Sequence, residues 1–360
     1  MEFEALIKKY KDVVDKRLES FFDREIRLTS DQFMRTNYLF LREFVLRGGK
    51  RLRPIAAIMA YIAINGRDDE KIFLPAIGAE LFHASSLIHD DIMDEDDLRR
   101  GKQTMHNKFS NWFLKQYGEK EYAGKLFNKW SKRFGVSMAI IQGNMLYSLG
   151  ESCLTNSDFD DKVIREALSI CNNAYKTVNE GQVLDILLAL KRNIKEKDYF
   201  DMALKKTAKL FSASIEVGAV LANATISQRK ALTDYASNSA ITFQIQDDIM
   251  DINAKMQKGH DIGSDIRKGK YTLLIIKALE LANKDEKEKL IKILGKENST
   301  KDEINTVIKI LDNTGAIAYS RKIALGKIKE GKNFLKKADL TKEGLDFFNS
   351  FADYMINREI

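Results

Sequence analysis

The sequence predicts an all-α chain. Three observations carry that expectation. Apolar residues recur three and four positions apart almost throughout, the spacing that turns one side of a helix into a core face. Runs that alternate apolar and polar residues, as half-buried strands require, are missing. The 360 residues include two prolines, so little interrupts long helices. No stretch rich in Pro, Gly or Ser marks a linker. The chain therefore reads as one large helical domain over residues 1–360.

The elements follow in order. Leu6, Tyr10, Val13 and Val14 share one side of an opening helix that is charged elsewhere and has no leader-like apolar stretch. Pro54 follows Gly48-Gly49-Lys50-Arg51-Leu52-Arg53 and suits the first turn of a helix, where its missing N–H costs nothing. The longest apolar run, Pro54 to Ile64, is far short of the ~20 residues that span a bilayer, so no transmembrane segment is expected. Leu74 to Asp94 reads as one long, mostly apolar helix ending in acid, and the segment from about Ala231 to Asp251 repeats that design. Between them, residues 107–134 are aromatic and lysine-rich (Phe109, Trp112, Phe113, Tyr117, Tyr122, Phe127, Trp130) and read as an inserted helical pair or lid. Ile164, Ala167, Leu168 and Cys171 mark a further amphipathic helix.

Composition excludes several classes. A net charge of +7 would allow nucleic acid as a partner, but the lysines are scattered among glutamates. No basic arm, zinc finger or aromatic-basic RNA motif appears. Cys153 and Cys171 build no disulfide framework and read as reduced thiols of a cytoplasmic protein.

The chemistry lies in two acidic pentads. Asp90-Asp91-Ile92-Met93-Asp94 recurs as Asp247-Asp248-Ile249-Met250-Asp251. On a helix, residues four apart share a face, so Asp90 projects with Asp94 and Asp247 with Asp251. Like charges so placed repel and call for a positive partner. Oxygen-only donors point to a hard cation, and Mg²⁺ commonly bridges one or two carboxylates to phosphate oxygens. Zinc is disfavoured, because none of the four histidines is spaced as a ligand pair. Each pentad is followed by a basic turn: Arg99-Arg100-Gly101-Lys102-Gln103-Thr104 and Lys268-Gly269-Lys270-Tyr271-Thr272. Acid for metal and base for phosphate suggest a diphosphate clamped between two helices through Mg²⁺.

Further cations and polar groups fit that picture. Lys50, Arg51 and Arg53 sit behind two glycines, and arginine forks match phosphate oxygens. His83 lies two helical turns before Asp90. Lys206-Thr207, and Gln182 with Asp185, are weak signals alone. Gln244 and Gln246 are polar in an apolar helix and need partners.

Together these segments resemble the trans-isoprenyl diphosphate synthases, the family of farnesyl and geranylgeranyl diphosphate synthases. The likeness runs in order along nearly the whole chain: GGKRLRP at 48–54, HASSLIHDDIMDEDDLRRGKQTMH at 83–106, GVSMAI at 135–140, GQVLD at 181–185, KTAKLF at 206–211, FQIQDDIMD at 243–251 and GSDIRKGKYT at 263–272. It implies a helical bundle of the isoprenoid synthase type around a deep central cavity, acting as a homodimer. By position, Asp90, Asp94 and Asp247 would hold three Mg²⁺ ions, with Asp91, Asp248 and Asp251 supporting the clusters and Asp185 nearby. Lys50, Arg53, His83 and Arg100 would bind isopentenyl diphosphate. Arg99, Lys206, Thr207, Gln244 and Lys270 would bind the allylic diphosphate. Tyr354-Met355-Ile356-Asn357-Arg358 resembles the family's closing tail. Departures are Asn144, where members often carry Asp, His260, where many carry Lys, and the length of 107–134.

The implied reaction is ionisation, condensation and elimination, giving a linear polyprenyl diphosphate. Product length is read above the first cluster. Ser85 and Ser86 are too small to block a growing chain, and Phe82, about 12 Å from Asp90 along the helix axis, would be a floor. The product is then expected to exceed fifteen carbons, with twenty favoured. A farnesyl diphosphate synthase, a class I terpene cyclase and a non-catalytic partner subunit stay open; the second aspartate pentad and the paired cations argue against the last two.

Overall fold

Capping and helix-ending signals divide the chain into elements whose order is easily followed in the computed structural model, which describes residues 3–67, 69–191, 193–253 and 262–357. His260 and Arg358 lie outside the described residues. The helices are α1 (Phe3–Leu28), α2 (Gln32–Leu46), α3 (Leu52–Asn65), α4 (Phe73–Met93), α5 (Met105–Tyr117), α6 (Trp130–Thr155), α7 (Asp161–Leu188) and α8 (Glu196–Ala203). A π-helical turn (Leu204–Ala208) joins α8 to α9 (Lys209–Leu221), and α10 (Ile226–Asp251) follows. Then come α11 (Ser264–Arg267), α12 (Leu273–Leu281), α13 (Lys284–Ile293), α14 (Lys301–Asn313), α15 (Ala316–Leu335) and α16 (Lys342–Ile356). Among the described residues, strand structure is a hairpin of β1 (Leu98–Arg99) with β2 (Lys102–Gln103), plus one bridge between Glu121 and Lys129.

The all-α expectation holds. Pro54 does lie in the first turn of α3. The first acidic helix begins and ends within a residue of its expected bounds. The second starts five residues earlier than expected, because Thr225 and Gln228 form a capping box: the Thr225 hydroxyl accepts from the Gln228 N–H, and the Gln228 side chain accepts from the Thr225 N–H. The stretch 107–134 is most of α5, an irregular connection, and the first turn of α6. Its aromatics pack on one another, Trp112 stacking on Phe134 at 5.7 Å between ring centres.

The chain divides into two compact units, Met1–Ile58 with Arg67–Leu168, and Met59–Gly66 with Ser169–Ile360. In the first unit, α4 and α6 pack closely. In the second, α10 is the central helix, flanked by α9, α15 and α16. The Tyr235 hydroxyl of α10 donates to the Phe348 carbonyl of α16 at 2.6 Å.

The expectation that no segment spans a membrane meets one borderline helix. The segment Glu70–Met93 is long and apolar enough to cross a membrane, with a mean hydropathy of 1.2 over its best window. Glu80, His83 and His89 interrupt its apolar pattern. Two thirds of that window (67%) is buried inside the protein, which is the behaviour of a core helix.

Candidate active site

The first acidic cluster closes α4. Asp94 is the residue that ends the helix, its N–H bonded to the Asp90 carbonyl at 2.8 Å. The hairpin then folds back and brings Arg99 onto the cluster. The Arg99 Nε donates to Asp91 Oδ1 at 2.5 Å, and its terminal nitrogen lies 3.5 Å from Asp90 Oδ2. This is the positive partner that the repelling carboxylates require. Asp91 is fully buried, and its Oδ2 has no hydrogen-bond partner. Burial pushes its carboxyl up to about 7 against the pull of Arg99, with Asp90 and Asp96 adding to the rise.

The glycines at 48 and 49 form a seat for Arg100. Their φ values are 97° and 134°. The Arg100 guanidinium donates to the Gly48 carbonyl, and a Cβ on Gly49 would stand 3.0 Å from its nitrogens. Any other side chain at 49 would displace that guanidinium. His83 faces the same cations. Burial holds its imidazole well below the usual histidine range, and Arg53, Arg100, Arg99 and Arg51 push it the same way, so it is neutral at pH 7. Lys50 is exposed.

The sequence misjudged one cation of this loop and missed another nearby. Arg51 turns inward and is 3% exposed. It pairs with Glu80 at 2.5 Å and Asp15 at 2.8 Å, and donates to the Val45 carbonyl at 2.8 Å. Its work is to tie α1, α2 and α4 together. Glu80 in the apolar run of α4 was the available signal, since a buried carboxylate needs a partner. Arg47 was not singled out at all. Its side chain is 2% exposed, and its Nε and one terminal nitrogen bind Glu43 at 3.0 and 2.9 Å. The other terminal nitrogen is buried without a partner. Arg47 lines a small cleft with Glu80, Ala84, Leu87, Arg99 and Arg100. Glu43 also binds Lys102 and Lys108, and although burial alone would raise its carboxyl, these three cations hold it at about 2.

The second cluster closes α10 in the other unit. Asp248 is buried and accepts from the Tyr199 hydroxyl at 2.8 Å and from Gln244 Nε2 at 2.9 Å. Gln244 Oε1 accepts from the Thr207 hydroxyl at 2.7 Å. Asp251 accepts from the backbone N–H groups of Ser264 and Asp265, each at 3.1 Å, which anchors the start of α11. Burial pushes both Asp248 and Asp251 upward, and the neighbouring Asp265 adds to it. Asp247 is half-buried beside them. Lys206 pairs with Asp185 at 2.6 Å. The π-helical turn presents Lys206 and Thr207 and lies hard against α7, where a Cβ on Gly181 would come within 2.3 Å of the Lys206 nitrogen. Lys270 stands 3.9 Å from Asp265. Gln246 finds its partner in the Ile356 carbonyl at 2.8 Å, which fastens the end of α16 to α10.

The two basic turns share a design. Gly101 and Gly269 have φ values of 72° and 70°. Thr104 and Thr272 are the N-cap residues of α5 and α12. Of the remaining candidates, Phe82 is buried in the α4–α6 contact, its ring edge-on to Tyr147 at 5.3 Å and against Gly150. Ser85 is buried, and Ser86 donates to the His83 carbonyl. Asn144 is exposed on α6.

Among the described residues no three His, Cys, Asp or Glu converge as a self-sufficient metal cage. The donors nonetheless fit Mg²⁺, which is content with one or two carboxylates and completes its shell from phosphate and water. The partnerless Asp91 Oδ2 and the raised carboxyls show acid that the protein's own cations only partly offset.

Comparison with known proteins agrees. The profile of the polyprenyl synthetase family matches residues 37–311. The short chain isoprenyl diphosphate synthase of Methanothermobacter thermautotrophicus is 30% identical, covering 100% of this chain and 99% of the relative. The structure of geranylgeranyl pyrophosphate synthetase from Pyrococcus horikoshii superposes with a TM-score of 0.83 at 30% identity over 100% of both chains. That of geranylgeranyl pyrophosphate synthase from Corynebacterium glutamicum, complexed with isoprenyl diphosphate and magnesium, gives 0.86 at 26% identity, covering 99% of this chain and 100% of the other. The twin aspartate helices are thus those of a known lineage: the chain belongs to the polyprenyl synthetase family and is a prenyltransferase.

Proposed function

We propose that this prenyltransferase condenses isopentenyl diphosphate with allylic diphosphates, head to tail and trans, to a linear product of twenty carbons or somewhat more, and that both units form one catalytic domain. The observation that carries the reading is the pair of aspartate-ended helices, each followed by a Gly-Lys-x-Thr turn and each furnished with its own cations. Asp90, Asp94 and Asp247 would hold Mg²⁺, three ions by the family resemblance, with Asp91, Asp248 and Asp251 orienting the clusters. Bound Mg²⁺ supplies positive charge to the diphosphate as it leaves. Arg99, Lys206 and Lys270 bind the allylic diphosphate, and Lys50, Arg53, His83 and Arg100 bind isopentenyl diphosphate. The neutral His83 offers one N–H and no competing charge. Thr207 and Gln244 present dipoles to the allylic cation, and apolar walls exclude the water that would quench it. Incubation with Mg²⁺, labelled isopentenyl diphosphate and each allylic primer tests the reading. Extractable polyprenyl diphosphates are expected, and a cyclic hydrocarbon or no transfer would refute it.

Arg47 belongs to the same pocket. Its partnerless terminal nitrogen holds N–H donors ready for a phosphate oxygen. Arg47→Gln is expected to raise KM for isopentenyl diphosphate about tenfold, since a bond to a charged group is lost, with KM for the primer unchanged. Glu43 keeps Lys102 and Lys108, so folding should survive. Steady-state kinetics at varied concentrations of each substrate check this.

Phe82 sets the floor for the growing chain. Phe82→Ala is expected to lengthen the product by at least one isoprene unit, with a stability loss of about 3–5 kcal/mol from the cavity left beside Tyr147 and Gly150. Chromatography of the dephosphorylated alcohols decides, and an unchanged length removes Phe82 from this role. The same reading includes a homodimer in the cytoplasm. Ile140 and Ile141, exposed on α6, and two free cysteines support it.

A further inference from the structure

Three elements of the second unit meet in a chain of hydrogen bonds that runs from the core to the site. Tyr199 on α8 is 1% exposed and Asp248 on α10 is 3% exposed. The Tyr199 hydroxyl donates to Asp248 Oδ2, Gln244 Nε2 donates to Asp248 Oδ1, and the Thr207 hydroxyl donates to Gln244 Oε1. The direction of each bond follows from the one before it. The Tyr199 hydroxyl occupies Oδ2, which leaves Oδ1 of Asp248 as the acceptor that faces Gln244. An acceptor there turns the Gln244 amide so that its NH₂ faces Asp248. The amide oxygen must then face Thr207, and the Thr207 proton is committed to it. What Thr207 has left is its oxygen lone pairs.

We propose that Tyr199 is a positioning residue for prenyl transfer: through Asp248 and Gln244 it fixes Thr207 with its lone pairs, and not its proton, presented to the allylic cation. The inference rests on the prenyltransferase reading above and adds a residue and a polarity to it. A hydroxyl free to rotate would turn its proton toward the departing diphosphate and offer the cation the wrong end of its dipole. Preorganisation of such dipoles before charge develops is what makes them effective. Tyr199 touches no substrate in this scheme, and its ring is packed in the core. Phe200 beside it has no hydroxyl, and nothing in the sequence pattern separates the two.

The test uses binding, so that it does not depend on turnover. The probes are an allylic ammonium analogue of the cation and its neutral carbon isostere, each titrated calorimetrically into the full chain with Mg²⁺ and inorganic diphosphate. Wild type is expected to prefer the ammonium. Tyr199→Phe, which removes one oxygen, should reduce that preference about 10- to 100-fold, the worth of one hydrogen bond to a charged group, and leave the neutral isostere unaffected. In a Thr207→Val background the same change should do nothing further, because the chain is already cut. Thr207→Ser should restore both the preference and its sensitivity to Tyr199→Phe. Gln244→Met cuts the chain without touching Tyr199 and should also lose the preference, which keeps the test alive if Tyr199→Phe does not fold. Equal weakening of both probes by Tyr199→Phe, an undiminished effect in the Thr207→Val background, or a preference retained in Gln244→Met would overturn the inference. Failure of wild type to join isopentenyl diphosphate to any primer would instead remove the reaction assigned above, while the calorimetry would still report on the relay.

Discussion

Asp90→Ala and Asp247→Ala are each expected to lower prenyl transfer by about 10³-fold or more while leaving the fold intact. Loss of a single preorganised electrostatic contact to a developing charge commonly costs about 10²–10³-fold, and in the proposed function each of these carboxylates would place a divalent ion whose charge is spread over several such contacts. Folding should be spared for a separate reason. Each aspartate stands near the end of a helix beside like-charged neighbours, and Asp91, Asp248 and Asp251 already carry raised carboxyls. Taking one negative charge away relieves repulsion. The Arg99 contact to Asp90, at 3.5 Å, is the weaker of its two, and the buried contact to Asp91 remains. Single-turnover assays beside far-ultraviolet circular dichroism and thermal unfolding check both halves. Activity near wild type would remove that aspartate from metal binding. A collapsed unfolding midpoint would mean it is structural.

Glu80→Ala is expected to destabilise the first unit by about 3–5 kcal/mol, the range found when one member of a buried ion pair is removed. Arg51 would keep Asp15 and the Val45 carbonyl, but its 2.5 Å partner on α4 would be gone and a buried guanidinium would be left short of charge. The loss should spread to the site, since Arg51 holds the loop whose glycines seat Arg100. The double replacement Glu80→Leu with Arg51→Met should recover much of the stability, because two apolar side chains carry no desolvation penalty. Chemical denaturation of the three proteins measures this. A Glu80→Ala loss under about 1 kcal/mol would contradict it, being no more than an exposed pair is worth.

Much of the fold was legible because helical periodicity is a local signal. Leu74 to Asp94 gave α4 almost to the residue. The start of α10 was misplaced because the Thr225–Gln228 box lies upstream of the apolar pattern and had to be read as a cap. The acidic pentads and their basic turns were legible because the same residues occur twice. Partners distant in sequence were not. Arg51 and Arg53 look alike in the chain apart from the family resemblance that singles out Arg53, and that Arg51 is locked to Glu80 and Asp15 shows only in the fold. Tyr199 lies 49 positions from Asp248, and Arg47 shows its spare N–H only once Glu43 is seen to take its other nitrogens. In each case the missing information is which polar groups are buried together, and long-range packing decides that.

In the proposed function each aspartate cluster would hold Mg²⁺ for the diphosphate. Crystals grown with Mn²⁺ in place of Mg²⁺ and an unreactive thio-analogue of the allylic diphosphate test it most directly, since anomalous scattering marks each ion. The prediction is ions on Asp90 with Asp94 and on Asp247 when the analogue is bound. Ions confined to one cluster, or absent from both, would contradict it.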